Sequence, residues 1–210
     1  MRVSTLVIAI TLISLQSNAQ IQIGGQAGWN YVYASASTKD GTSISTKGGN
    51  GFHLGLIVRA PFDNKLYFVP QMVFSHKTYT IQYNNAYGDS VKDTHLALNY
   101  IELPVLLEYV TSENKPHLFF QFGPSLSIGI NGKQKITSMD GTTQDEKMIL
   151  NYTHYERFEF NLVGRIGYQF PNKFSVWGGY AYGLGSIVDA DKGPVIKPRM
   201  ITATLAYWFR

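Results

Sequence analysis

The chain has 210 residues, no cysteine and a net charge of +4. The charge is too small and too dispersed for a nucleic-acid groove, and the lack of cysteine excludes a disulfide framework and thiolate metal sites. Charged residues make up only 15% of the chain, against roughly 25% in an ordinary soluble domain, while 14% is aromatic. That balance disfavours a soluble cytoplasmic enzyme and suits strands that face lipid.

The N-terminus reads as a secretory signal peptide over residues 1–19. Arg2 is followed by a mostly apolar stretch from Val3 to Leu15, and Ser17 and Ala19 are the small residues at −3 and −1 of a cleavage site before Gln20. The apolar stretch falls short of the roughly 20 residues of a spanning helix. Residues 20–210 then form one domain, with no later run of helical spanning length. If this domain enters a membrane it does so as a closed barrel, because lipid leaves no other way to satisfy the backbone.

From Gln20 onward the apolar residues recur with period two, the strand signature. The first segment places Ile21, Ile23, Ala27, Trp29, Tyr31 and Tyr33 against Gln22, Gly24, Gln26, Gly28 and Asn30. The second sets Phe52, Leu54, Leu56 and Val58 against His53, Gly55 and Arg59, and the third Leu66, Phe68, Met72 and Phe74 against Val69, Gln71 and Ser75. The fourth sets Ile101, Leu103, Val105, Leu107 and Tyr109 against Glu102, Pro104 and Glu108. Upstream of it Leu96 and Leu98 lie out of phase, so a bulge is expected near Asn99. Pro104 is awkward in a strand with neighbours on both sides, because it has no donor for the ladder.

The fifth segment runs through Leu118, Phe120, Phe122, Leu126, Ile128 and Ile130, and the sixth through Phe158, Phe160, Leu162, Ile166, Tyr168 and Phe170. The seventh holds Phe174, Val176, Tyr180, Tyr182 and Leu184, and the last Ile201, Ala203, Leu205, Tyr207 and Phe209. Residues 61–65, 110–116 and 171–173 are short turns that combine proline with Asn-Lys. Long polar loops are expected at 34–50, 80–93, 131–153 and 185–198. Strict alternation of long and short connections is the layout of outer-membrane barrels. It predicts an all-β, eight-stranded antiparallel up-and-down transmembrane barrel in the cell outer membrane, with both termini periplasmic and four long loops outside. A lumen of eight strands has room for side chains only, so the bulky apolar face is expected against lipid and the Gly, Ser, Gln, Asn and charged face inside.

The segment Asn99-Tyr100-Ile101-Glu102-Leu103-Pro104-Val105-Leu106-Leu107-Glu108-Tyr109 is the most specific stretch of the chain. Together with Phe122-Gly123-Pro124-Ser125, Tyr182-Gly183-Leu184-Gly185-Ser186-Ile187, the Ser-Asn-Ala-Gln signal end and the aromatic C-terminus, it resembles the PorT-like outer-membrane β-barrel family of the Bacteroidetes. The resemblance covers the mature region and implies a barrel folded into the outer membrane by the barrel assembly machinery. It carries proline at the position of Pro104. One member type serves type IX protein secretion, so an extracellular or secretion-system protein partner is implied. Arg210 follows Phe209, so the terminal aromatic is penultimate.

Arg59, Glu102, Glu108, Glu159 and Arg165 all fall on the face assigned to the interior. Buried charges need partners, so Arg59 and Arg165 are expected to pair with glutamates and close the lumen, the alternative being a proton or ion path. The five histidines (His53, His76, His95, His117, His154) lack metal-ligand spacing, and Gly41, Gly48, Gly49 and Gly51 lack a phosphate-loop ending. No cofactor, metal site or enzymatic activity is expected. Asp89-Ser90-Val91 reads as a turn or as a short O-glycosylation acceptor pattern. Three functional readings stand: a structural or interaction barrel working through its loops, an accessory component of secretion, and a small channel or barrel enzyme.

Overall fold

The computed structural model describes residues 21–38, 41–83, 91–148, 157–186 and 195–209. Residues 1–19, expected to be a signal peptide, and Asp89, Ser90, His154 and Arg210 lie outside these residues. The described chain forms nine antiparallel strands: β1 (Gln22–Ser37), β2 (Ser43–Asp63), β3 (Leu66–Gln82), β4 (Val91–Val110), β5 (His117–Ser138), β6 (Thr143–Met148), β7 (Phe158–Gln169), β8 (Phe174–Gly183) and β9 (Val195–Trp208). All but β6 pair with their neighbours into a ring closed by β1–β9 and β4–β5, while β6 folds back on the far half of β5. The fold is therefore the expected eight-stranded barrel, with an added hairpin inside the third long connection.

The two faces of the wall are chemically distinct. One ladder row passes through Tyr168, Val176, Leu205, Ala27, Leu54, Phe74, Ile101, Ile128 and Phe158, apolar at every step. It re-enters β7 far from where it left, the stagger that closure of tilted strands requires. The adjacent row holds Gly167, Trp177, Thr204, Gly28, His53, Ser75, Tyr100 and Gly129, small or polar apart from two aromatic rings. The first row belongs to the exposed outer wall, where Leu54 is 52% and Leu205 52% exposed; the second faces inward, with Ser75 at 0% and Trp177 at 4%. In water such an exposed apolar band would be a large liability; in lipid it is the solvent-matched surface.

The expected small and polar interior describes only the middle of the lumen. Toward the short-turn end Val69, Leu106, Val110, Phe119 and Trp208 are buried inside, and toward the other end Val32, Ile44, Ile81, Leu96, Leu98 and Ile196. Apolar layers thus close a polar belt from both sides. Leu96 and Leu98, thought out of phase, are inward-facing members of the upper layer, and β4 alternates without interruption. The ladder does slip at Asn99/Tyr100, but the extra residue is Ile130 in the facing strand, where Ile130 and Asn131 are consecutively exposed.

Pro104 faces the lumen opposite Ser125. Pairing skips beside it on both sides: β3–β4 lapses between Pro70–Val105 and Val73–Glu102, and β4–β5 between Pro104–Ser125 and Leu107–Phe122. Three prolines (Pro70, Pro104 and Pro124) gather where the ladder has gaps, which is how a residue without a donor is housed in the sheet.

The short turns lie together at the end where β1 starts and β9 finishes. β2 and β3 leave only Asn64-Lys65 between them, tighter than the expected five residues, with Lys65 at φ 59; Lys173 at φ 67 plays the same part between β7 and β8. The long connections are shorter than expected, because strands run through much of them. Ser35–Ser37, Ser43–Lys47, Thr80–Gln82, Val91–Asp93, Asn131–Ser138 and Val195–Pro198 extend the barrel wall past the apolar band. Two of these extensions are tied at their ends by the same backbone hydrogen bonds, Thr38 with Gly41 and Thr42 and Ser138 with Gly141 and Thr142, with Gly41 and Gly141 both left-handed at φ 85 and 86. Only glycine takes that conformation without steric cost.

Candidate functional site

Period two sends Arg59 of β2, Lys77 of β3, Glu102 and Glu108 of β4 and Glu159 of β7 into the lumen, where each is at most 7% exposed; Arg165 of β7 joins them. Three cations face three carboxylates, so the belt is neutral overall.

Arg59 Nε lies 2.6 Å from Glu108 Oε1, and Arg59 Nη1 donates to Gln22 Oε1 at 3.1 Å. The guanidinium also sits 3.8 Å from the centre of the Tyr67 ring. Lys77 Nζ takes two carboxylates, Glu102 at 2.9 Å and Glu159 at 3.3 Å, and stands over the Tyr100 ring. Arg59 and Lys77 are thus each satisfied by an anion and by a π-face.

Arg165 departs from expectation. It was expected to pair with a glutamate, but its Nη1 donates to Gln71 Oε1 at 2.9 Å and to Gln121 Oε1 at 3.4 Å. The reason is position. Arg165 lies opposite Gln121 on one side and Gly179 on the other, and the carboxylates are engaged elsewhere: Glu102, which lines the same small space, by Lys77, and Glu108 by Arg59 and by Gln121 Nε2 at 2.7 Å. Gln121 therefore bridges the Arg59–Glu108 pair to Arg165. Gln71 extends the chain by accepting Gln26 Nε2 at 3.0 Å.

A second polar chain surrounds His53. Asn30 Nδ2 donates to Ser75 Oγ at 3.0 Å, which turns the Asn30 amide oxygen toward His53 Nδ1 at 2.6 Å. An amide oxygen only accepts, so His53 Nδ1 is the donor. In the neutral ring Nε2 then accepts from Thr204 Oγ1, 3.0 Å away. Gly28 leaves the room for that ring: a Cβ there would lie 2.6 Å from His53 Cε1.

Lys77 is the member that the sequence reading missed. Its signal is the continuation of the same period, Gln71, Val73, Ser75, Lys77, past the end of the third segment toward the loop expected at 80–93. The free space beside Lys77, Glu102 and Arg165 is about 20 Å³, room for about one water. Among the described residues no cluster of three or more His, Asp or Glu side chains is arranged to hold a metal ion. The arrangement cross-links six strands (β1 to β5 and β7) through charged and amide groups.

At the long-loop end the outer wall turns polar at the row His76, Asn99, Asn131. His76 Nδ1 lies 2.8 Å from Asn99 Oδ1, and Asn99 Nδ2 donates to Asn131 Oδ1 at 2.6 Å. Trp29 and Phe52 continue this row round the barrel, and Tyr31 lies just beyond. An indole at the edge of an apolar band is the usual membrane-interface arrangement.

Residues 16–189 match the model of the outer membrane protein beta-barrel domain family. No protein with a curated functional description matches the chain. Among solved structures, the chain is similar to the attachment invasion locus protein Ail of Yersinia pestis (18% identity, 90% of this chain and 99% of that one, TM-score 0.42). It is also similar to Neisserial surface protein A (14% identity, 88% and 96%, TM-score 0.42) and to OprG from Pseudomonas aeruginosa (12% identity, 90% and 96%, TM-score 0.42). With an apolar outer wall, a charged but neutralised lumen and a family model spanning most of its length, the chain belongs to the outer membrane protein beta-barrel domain family and is a small barrel of the outer membrane.

Proposed function

We propose that the protein is a sealed barrel that works as an interaction platform: the lumen is structural, and the strand extensions and long connections meet partners outside the cell. The observation that carries this reading is the filling of the lumen, a polar belt joined by ion pairs and amides between two apolar layers. An aqueous conduit needs a wider barrel, typically of about 16–18 strands. In this reading the barrel end that carries both termini is periplasmic and the β5–β6 hairpin stands outside. The finer kinship with the PorT-like branch rests on the segment from Asn99 to Tyr109 and belongs to this proposal. Two measurements test it. Protein reconstituted in planar bilayers gives no conductance steps, and an Asp140→Cys variant reacts with a membrane-impermeant maleimide on intact cells, a clean assay because the chain has no cysteine. Steady conductance would make the barrel a channel and overturn the reading.

A further inference from the structure

The outer wall of the β4–β5–β6 extension carries a group of cations. Lys133 lies directly opposite Lys147, and Lys135 lies opposite His95 on one side and Asp145 on the other. Lys47 stands in the same row, reached through Thr80. All four lysines are exposed. Among the described residues the ion pairs are confined to the lumen, so these ammonium groups have no carboxylate in contact. Asp145 offsets one of them; Glu146 faces the other way and is engaged by Gln134 Nε2 at 2.9 Å. Like charges directly opposite on one face of a sheet repel, and the fold keeps Lys133 and Lys147 there.

Their height on the wall identifies the occupant. Lys133 sits one outward-facing step above Asn131, the polar edge of the lipid band, and below that edge the same wall continues as Ile101, Ile128 and Phe158. A molecule seated here meets cations at one end and an apolar wall at the other. A soluble polyanion would use only the upper half. We propose that Lys133, Lys135 and Lys147, with His95 beside them, bind the phosphate group of a phosphorylated glycolipid in the outer leaflet, its acyl chains lying along Ile101 and Ile128. Lysine serves as a point charge for phosphate, and basic groups at a membrane surface act in this way on anionic headgroups. The assignment to the outer leaflet rests on the outward orientation proposed above.

The test uses the full chain folded in nanodiscs, with native mass spectrometry to count bound lipid. The probes are a lipid A-type glycolipid carrying phosphate and the same lipid with the phosphate removed. The phosphorylated form is expected to bind at least about 10-fold tighter, and Lys133→Gln/Lys135→Gln/Lys147→Gln is expected to weaken it on the order of 100-fold. The corresponding triple arginine variant is expected to retain binding, which separates lost charge from lost fold. Inorganic phosphate at millimolar concentration is expected not to displace the lipid. Equal binding of the two lipids, an unaffected glutamine variant, or displacement by free phosphate would each overturn the proposal. This binding assay is indifferent to orientation. Selective binding with an unlabelled Asp140→Cys variant on cells would therefore overturn the outer-leaflet assignment, whereas labelling without selective binding would overturn the phosphate site alone.

Discussion

At the scale of single residues, the lumen depends on which cation has which partner. Arg59 and Glu108 are in contact and almost wholly excluded from solvent. Removing one member of such a pair leaves an uncompensated charge and costs about 3–5 kcal/mol, while replacing both by apolar groups costs far less. Glu108→Leu is therefore expected to lower the urea midpoint of the lipid-embedded barrel strongly, and Arg59→Met/Glu108→Leu to recover most of the loss. Additive losses in this double-mutant cycle would contradict the pairing. Two adjacent glycines give a second comparison. A Cβ on Gly179 would lie 2.8 Å from Arg165 Cγ, whereas one on Gly178 meets only the Thr202 carbonyl oxygen, at 3.9 Å. Gly179→Val is expected to destabilise by about 1–3 kcal/mol through overpacking and Gly178→Val to be nearly silent in the same unfolding assay. Five of the six lumen charges were legible in the sequence because period two assigns a face to every residue. Their partners were not, because period says nothing about which strands meet across a lumen. The choice of glutamine over glutamate by Arg165 follows from the register that puts Gln121 of β5 beside it and from Gln71 of β3 reaching it across the lumen.

At the scale of elements, the eight ring strands were legible and their ends were not. Alternation persists as long as one face is buried, and polarity on the outer face was read as a loop. In fact the outer face turns polar where the wall leaves lipid, while the inner face remains apolar through Ile44, Ile81, Leu96 and Ile196. The third connection shows the consequence, since residues taken as a loop form the β5–β6 hairpin. Its turn rests on Asp140, whose Oδ1 accepts from Thr142 N at 2.9 Å and Thr142 Oγ1 at 2.6 Å. These hydrogen bonds hold the Asp140 carboxyl below its ordinary value. A carboxyl lowered in the folded state contributes stability above its unfolded pKa and loses it as pH falls through the folded value. The hairpin amides are therefore expected to keep full hydrogen-exchange protection at neutral pH and to lose it on acidification below the ordinary aspartate range. Asp140→Ala is expected to show the unprotected state already at neutral pH. Protection that is independent of both pH and Asp140 would show that the turn is held by Gly141 and the backbone alone.

At the scale of the whole molecule, the claim is that one face of a single sheet meets lipid and the other is a packed interior. The three tryptophans sample both faces. Trp29 is on the outer wall at 46% exposure, while Trp177 and Trp208 are inside at 4% and 2%, with Trp208 Nε1 donating to Ser175 Oγ at 2.7 Å. Variants that keep one tryptophan and carry phenylalanine at the other two positions, folded into bilayers with brominated acyl chains, report directly which rings touch lipid. Strong quenching of Trp29 fluorescence with little or none for Trp177 and Trp208 is the expected result; quenching of Trp177 or Trp208 equal to that of Trp29 would mean that the wall is turned the other way round.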